Sequence, residues 1–337
     1  MLNFDDDRFL RIQRGAVAHT EGLRATVATL LEEGAENLFF MGSGGAGILM
    51  QPAHQLLRTT SRFPAHLLNP AELMANGCAD LGAHSIVVIP SLSGTTAETV
   101  AALEYVHARQ ATVIALTGHG GTPLADGADH AFVNFAEDDT SCEMFYLQSL
   151  AIALAVLEAR AEAPDAGSLL AEITALPELL LEAKRSFEPQ AGALAGHLAD
   201  VDYHVVTGAG TSWPEAFYYG MCILEEMQWI RTRPVHASDF FHGTLELIEP
   251  GVSVLLLSTE DASRPLCDRV EAFARRYTDR LVILDPAECE LPGVSPRLRA
   301  LISPVVLATL LERVSAHLEV IRAHPLTTRR YYKRVDY

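Results

Sequence analysis

A duplicated order of strand, glycine-rich turn and helix constrains this chain more than any other feature. In the first copy an apolar run at 38–41 opens into the glycine-rich segment 42–47, and helical spacing follows. In the second copy the run 203–207 leads into the glycine turn 208–212, and helical spacing follows over 213–230. Each copy then has two more strand-like runs, at 85–90 and 112–117 and at 252–257 and 281–285. Strands that alternate with helices predict parallel sheets flanked by helices, so the sequence predicts a duplicated α/β protein.

The length of the chain suits this duplication. A chain of 337 residues accommodates two units of about 150 residues each, and its 49% hydrophobic residues supply a core for both. We expect an N-terminal helical arm at 1–33, a first α/β domain at 34–161, a helical linker at 162–199, a second α/β domain at 200–315 and a C-terminal tail at 316–337.

Charge and cysteine usage argue against several classes of function. The formal net charge of −18 disfavours a nucleic-acid surface, because phosphate backbones require clustered Lys and Arg. The five cysteines are scattered and lack the spacing of a zinc site or a disulfide framework, so we expect no metal and a reducing compartment. The first residues lack the pattern of a signal peptide, and no stretch has the pattern of a membrane-spanning helix. We therefore expect a soluble, cytoplasmic protein with no membrane partner.

A cluster of hydroxyl groups follows the strand-like run at 85–90. Ser91, Ser93 and Thr96 surround Gly94 immediately before a helical pattern. Such a turn offers an anion hydroxyl donors, backbone N–H groups and the positive end of a helix. An acidic protein can hold a phosphate in this way without adding cations. The alternative interpretation is an ordinary helix cap with spare hydroxyls.

The glycine-rich turn of the first copy is a second candidate for anion binding. Gly42, Ser43 and Gly44 lie between a strand and a helix, where free backbone N–H groups converge. The turn also matches the GxGxxG pattern of dinucleotide sites, but no acidic residue about 20 positions later ends a second strand, so we expect no cofactor. Alternatively, these small residues only let a helix pack close to a sheet.

The second copy differs from the first at the corresponding positions. Its segment 258–263 carries Glu260 and Asp261, and two carboxylates there would repel a phosphate. We therefore expect only the first copy to bind phosphate.

The second copy carries a candidate acid/base pair. Glu226 lies in an apolar helical pattern, and His242 precedes Gly243. A carboxylate and a histidine are suited to proton transfer near neutral pH. Glu225 is an equal candidate by its position, since neighbours on a helix point about 100° apart and only one can face a cleft. A solvated helix face and a structural histidine at a turn are the alternative interpretations.

These motifs resemble a known family. A strand that leads into Ser-x-Ser-Gly-x-Thr at 91–96, in a chain with two such units, resembles the sugar isomerase (SIS) superfamily. The resemblance implies two tandem flavodoxin-like SIS domains, a phosphosugar substrate, Glu226 rather than Glu225 as the catalytic carboxylate, and Ser141 and Glu143 as candidate substrate contacts. It also implies a homodimer or larger homo-oligomer with active sites at the interface.

Within this superfamily the deglycases of phosphorylated Amadori compounds are the favoured branch. Glu226 with the segment 239–243 is similar to these deglycases and to the isomerase half of glucosamine-6-phosphate synthase, whereas the segment 226–229 and the tail are similar to the deglycases. That synthase has a lysine three residues before its glutamate, where this chain has Ile223. The resemblance therefore implies conversion of a 6-phosphofructosyl amino acid and water into glucose 6-phosphate and an amino acid. An aldose–ketose isomerase or a glucosamine-6-phosphate deaminase is the alternative, and a phosphosugar sensor without catalysis is the third hypothesis.

Overall fold

The computed structural model describes residues 1–136, 141–332 and 334–335 and forms two compact units. The first unit comprises Asp6–Glu178, and the second comprises Met1–Asp5 together with Leu179–Tyr337. The division falls inside helix α10 (Leu176–Ala199), which covers much of the predicted linker.

The first unit is built on a five-stranded parallel sheet. The strand order is β2-β1-β3-β4-β5, and the central strand β3 is buried at all seven positions because helices cover both of its faces. The strands are β1 (Asn37–Met41), β2 (Ala65–Leu68), β3 (Ser85–Ser91), β4 (Thr112–Thr117) and β5 (His130–Val133). The helices are α1 (Asp6–Ala18), α2 (Thr20–Glu32), α3 (Gly44–Ile48), α4 (Gln51–Thr60), α5 (Pro70–Asn76), α6 (Ala97–His107), α7 (Pro123–Gly127), α8 (Glu143–Ala159) and α9 (Ala166–Ile173).

The second unit repeats this plan with a four-stranded parallel sheet. The strand order is β7-β6-β8-β9, with β6 (Tyr203–Gly208), β7 (Arg231–His236), β8 (Ser253–Leu257) and β9 (Arg280–Leu284). The α-helices after α10 are α11 (Trp213–Tyr218), α12 (Glu226–Gln228), α13 (Arg264–Tyr277) and α14 (Pro296–Ile321). Shorter elements are the π-helix Tyr219–Glu225 and the 3₁₀ turns Gly210–Ser212, Asp239–His242, Thr244–Leu247 and Pro286–Glu288.

Each unit has its own apolar core beneath its sheet. Val87, Ile89 and Val113 lie in the core of the first unit, and Val254 and Leu256 lie in that of the second. Within the described part of the chain, α14 is the one helix long and apolar enough to cross a membrane, but 83% of its apolar window is buried inside the protein. It is therefore a core helix.

The predicted fold class is confirmed, since two tandem parallel sheets are flanked by helices. The sequence did not predict β2 and β7, which are edge strands with few fully buried positions and so lack a continuous apolar run. The N-terminal helical pattern forms two helices, α1 and α2, which meet at His19. Within the predicted linker, α10 continues through Pro189 without ending there.

Candidate functional site

The hydroxyl cluster of the first unit lies at a topological switch point. From β1 the chain crosses to β2 on one side, and from β3 it crosses to β4 on the other, while β1 and β3 are neighbours. Ligands of open α/β sheets bind outside the carboxyl ends of two such strands. The turn after β1 and the turn after β3 therefore flank one crevice, and together they form what we call the cradle, with Ser43, Ser91, Ser93, Gly94 and Thr96 as its polar and glycine positions.

Internal hydrogen bonds shape the turn after β3. Ser91 is buried, and its Oγ accepts a hydrogen bond of 3.1 Å from the backbone N–H of Gly94. The hydroxyls of Ser93 and Thr96 are 3.5 Å apart. Thr96 is the N-cap of α6, and its side chain makes no capping hydrogen bond to the helix. Ser93 and Thr96 are only half-buried, so their hydroxyls can reach a ligand at the N-terminus of α6.

The turn after β1 depends on two glycines that pack against each other. A Cβ on Gly42 would lie 2.7 Å from the backbone nitrogen of Gly47, so neither position tolerates a side chain without movement. Gly44 has a φ of +55°, which favours glycine. Ser43 is the N-cap of α3 and, like Thr96, makes no side-chain capping bond. This turn therefore combines close packing of the helix on the sheet with a half-buried hydroxyl that caps no backbone group.

The switch point of the second unit holds a carboxylate of its own. Asp261 accepts hydrogen bonds of 2.6 Å from the N–H of Thr211 and 2.7 Å from the N–H of Ser263. Its side chain also lies against Gly210, so closely that a Cβ on this glycine would overlap the carboxylate. Glu260, in contrast, is paired with Arg299 at 2.8 Å. The backbone donors that an external anion would need are therefore engaged by Asp261.

Glu226 follows an unusual helical segment. The π-helix Tyr219–Glu225 ends immediately before it, and Trp229, three residues later, has the left-handed φ of 56°. Single turns of π-helix and bulky residues with positive φ are both rare, and both occur often at functional sites. Gly220 allows this segment to lie on the sheet, since a Cβ there would be 2.8 Å from Pro234 Cγ in β7.

The structure gives the two adjacent glutamates different environments. Glu225 is exposed, and its Oε1 accepts a hydrogen bond of 2.6 Å from the hydroxyl of Thr232 in β7. The side chain of Glu226 is 34% exposed, and its Oε1 is 2.9 Å from Nε of Arg329 in the C-terminal tail. The sequence did not predict Arg329 as the partner of Glu226, because the two residues are far apart in the chain.

His242 and Glu226 lie beyond opposite ends of β7. Glu226 precedes β7 near its amino end, whereas His242 closes a 3₁₀ turn beyond its carboxyl end. The six residues of β7 span roughly 16–20 Å at about 3.3 Å per residue. His242 is exposed, as is the following Gly243 with a φ of +151°.

The two further candidates lie at the start of α8. Ser141 is half-buried and precedes the helix, and its carbonyl accepts from the N–H of Met144. Glu143 is 1% exposed, in the first turn of α8. Their contact with substrate remains a prediction. Among the described residues, no group of three or more His, Cys, Asp or Glu side chains could hold a metal ion.

Comparison with known proteins identifies the family. Residues 33–158 match the SIS domain. Over 90% of its length the chain is 30% identical to fructosamine deglycase FrlB of Bacillus subtilis (strain 168), and it covers 93% of that protein. The chain belongs to the SIS family. The resemblance that the motif at 91–96 indicated is thus confirmed.

Other relatives also match nearly the whole chain. The chain is 26% identical to fructoselysine 6-phosphate deglycase of Escherichia coli (strain K12) over 92% of its length, covering 89% of that protein. A solved structure described as a phosphosugar isomerase, from Salmonella typhimurium LT2, superposes with a TM-score of 0.88 at 28% identity, covering 94% of this chain and 97% of that one. The chain is therefore a member of a family of phosphosugar-processing enzymes.

Proposed function

We propose that this SIS protein is a deglycase that converts a 6-phosphofructosyl amino acid and water into glucose 6-phosphate and a free amino acid. The observation that carries this proposal is the likeness over nine-tenths of the chain to a protein named as a fructosamine deglycase. The cradle and Glu226 supply the two functions that such a reaction needs, which are phosphate binding and proton transfer.

The reaction requires one proton shuttle and one hydrolysis. In the open-chain substrate, C1 carries the amine and C2 is a ketone. Glu226, as a carboxylate, removes a proton from C1 while the C2 oxygen gains one, which gives an enaminol. A proton is then returned to C2 while the nitrogen loses one, which leaves an imine at C1. Water adds to C1, the C–N bond breaks, and the amine leaves with a proton while C1 becomes the aldehyde. A general acid or base of this kind contributes on the order of 10²- to 10⁴-fold in rate.

The cradle binds the phosphate of the substrate through neutral donors. The hydroxyls of Ser43, Ser91, Ser93 and Thr96, with the N-terminus of α6, provide hydrogen bonds without adding positive charge. Gly42, Gly44 and Gly94 let the backbone approach the ligand. Asp261 keeps the second switch point from competing for phosphate, since its carboxylate already accepts from the backbone there.

His242 acts as the general acid in ring opening or imine breakdown, and a second copy of the chain supplies it. The positions of Glu226 and His242 at opposite ends of β7 support this arrangement. A homodimer or larger homo-oligomer would then have its active sites at the interface. Mixing Glu226→Gln protein with His242→Asn protein tests this idea, because hetero-oligomers would regain one complete site. Activity that stays at the level of the separate variants would contradict a shared site.

A panel of substrates tests the proposed reaction. Purified protein is incubated with several fructosyl amino acid 6-phosphates, and glucose 6-phosphate and free amino acid are both quantified. Equal amounts of the two products are expected. The alternative is an aldose–ketose isomerase or a glucosamine-6-phosphate deaminase, which would use the same glutamate on fructose 6-phosphate or glucosamine 6-phosphate, and those compounds belong in the same panel. A sensor without catalysis would bind phosphosugars and turn over none of them.

A further inference from the structure

The C-terminal tail, here residues 322–332, is attached to the turn that carries Glu226. Gln228 is fully buried, and its Nε2 donates a 2.7 Å hydrogen bond to the carbonyl of His324. Arg322 donates to the carbonyl of Gln228 at 3.3 Å. The ring of Trp229 meets the ring of His324 at 4.5 Å. Contacts on both residues of the turn therefore fix the tail beside the carboxylate.

Arg329 is held in place by the tail itself. Its Nη1 donates to the carbonyls of Leu326 and Thr328, at 2.6 and 3.2 Å, and its Nε is 2.9 Å from Glu226 Oε1. The N–H of Leu326 donates in turn to Glu319 at the end of α14, at 3.0 Å. The side chain of Arg329 is only 12% exposed. A guanidinium fixed in this way is a pre-organised partner for one carboxylate and loses little conformational freedom on pairing.

We infer that Arg329 is a positioning residue for Glu226, which orients the carboxylate and holds it in the ionised form that can accept a proton. This inference rests on the proposed role of Glu226 in catalysis. An opposite charge within hydrogen-bond distance favours the charged form of a carboxylate, and low exposure of the cation limits screening by water. Arg329 acts through Glu226 and is not itself required to touch the substrate.

Other charged groups lie near the same turn and also influence the ionisation of Glu226. Besides Glu226 and Arg329, the described charged or titratable residues on the turn, on β7 and on the tail are Glu225, Arg231, Arg233, His236, Arg322, His324, Arg330, Tyr331 and Tyr332. Glu225 is engaged by Thr232, Arg233 donates to Thr244, and the guanidinium of Arg330 lies 4.1 Å from the ring of Trp229. Arg329, in contrast, is a cation in direct contact with Glu226.

Chemical labelling tests the inference without any turnover. The full chain is treated with a water-soluble carbodiimide and an amine over a range of pH, and labelling of Glu226 and Glu225 is measured by mass spectrometry of their peptide. Because carbodiimides react with protonated carboxyl groups, the pH of half-maximal labelling of Glu226 should rise by about one unit in Arg329→Met. Glu225, in the same peptide, should be unchanged. Arg334→Met, which removes an exposed arginine of the same C-terminal region, is the matched control.

Kinetics separate positioning from folding and from substrate binding. In Arg329→Met we expect kcat to fall about 10- to 100-fold with little change in KM, the acid limb of the pH profile to move up, and Arg329→Lys to recover part of the loss. Labelling or kcat of Arg329→Met that matches Arg334→Met, or a change confined to KM, would overturn the inference. If wild-type protein has no deglycase activity, the proposed function fails, while the labelling result still decides the role of Arg329.

Discussion

Gly94 of the cradle offers a test in which the structure supplies both a magnitude and a control. Gly94 has a φ of +63°, and a Cβ there would lie 2.9 Å from Cβ of Thr122 and 3.2 Å from Oγ1 of Thr117. Gly121, in the same unit, has a similar φ of +67° but nothing within 4 Å of its Cβ position. Alanine at either position takes on the strain of a left-handed backbone, but only alanine at Gly94 is also crowded.

The expected costs follow from these two situations. Left-handed backbone costs a non-glycine residue about 1–2 kcal/mol, so Gly121→Ala should lower the free energy of unfolding by that amount. Crowding of a packed site adds about 1–3 kcal/mol, so Gly94→Ala should lower it by about 2–5 kcal/mol. The N–H of Gly94 also donates to Ser91 Oγ, so displacement of Gly94 distorts the cradle. We expect KM for the phosphosugar to rise about tenfold or more in Gly94→Ala, because a loss of uniform binding raises KM and leaves kcat unchanged.

Two measurements check this prediction. The chain has two tryptophans, Trp213 and Trp229, and both lie in the second unit, so their fluorescence does not report the stability of the first. Amide hydrogen exchange of peptides from β3 and α6 reports it directly. Equal loss of protection in the two variants, with an unchanged KM for Gly94→Ala, would refute the reasoning.

Two further predictions concern acid stability. Burial opposes ionisation of Glu188, but hydrogen bonds from Arg313, Leu2 and His317 outweigh it and lower the pKa of Glu188 from 4.5 to about 2. Because the carboxyl group is more acidic in the folded protein than in the unfolded one, its ionisation stabilises the fold fully above pH 4.5. Because the side chain is 18% exposed and partly screened, Glu188→Gln should lower the free energy of unfolding by about 2–3 kcal/mol at pH 7. Urea unfolding should show this difference between variant and wild type vanish as the pH falls towards 2, and a difference independent of pH would contradict the prediction. Burial lowers the pKa of His204 from 6.5 to about 4, so its stabilising contribution is complete above pH 6.5 and is lost between pH 6.5 and 4. Relative to His204→Gln, wild type should therefore lose about 3 kcal/mol between pH 7 and 4, whereas parallel stability curves would show that His204 does not titrate on unfolding.

The fold was largely predictable because its central strands are continuous apolar runs. β3 and β4 are buried along almost their whole length, and the strand-like runs at 85–90 and 112–117 predict both of them. β7 reads Arg-Thr-Arg-Pro-Val-His and has no apolar run, so its sequence does not predict a strand. The π-helix before Glu226 was read as continuous α-helix, since the apolar spacing of the two forms is too similar over seven residues to tell them apart.

The sequence predicted those parts of the candidate site whose polar residues lie close together in the chain. Ser91 is the last residue of the buried strand β3, and Ser93 and Thr96 follow it closely. The strand ends at a switch point lie close together by topology. Glu226 could not be separated from Glu225 by spacing, and the family resemblance made that choice. The pairing of Arg329 with Glu226 is a tertiary contact made by a tail without regular structure, and no periodic pattern encodes such a contact.

The rates of three proteins on one substrate test the central claim most directly. Wild type, Glu225→Gln and Glu226→Gln are compared on a fructosyl amino acid 6-phosphate that the wild type cleaves, with glucose 6-phosphate and free amino acid both measured. We expect equal yields of the two products from wild type and Glu225→Gln, and a loss of at least about 10²-fold in Glu226→Gln, which should still bind the phosphosugar. Release of the amino acid by Glu226→Gln at the wild-type rate would contradict the account.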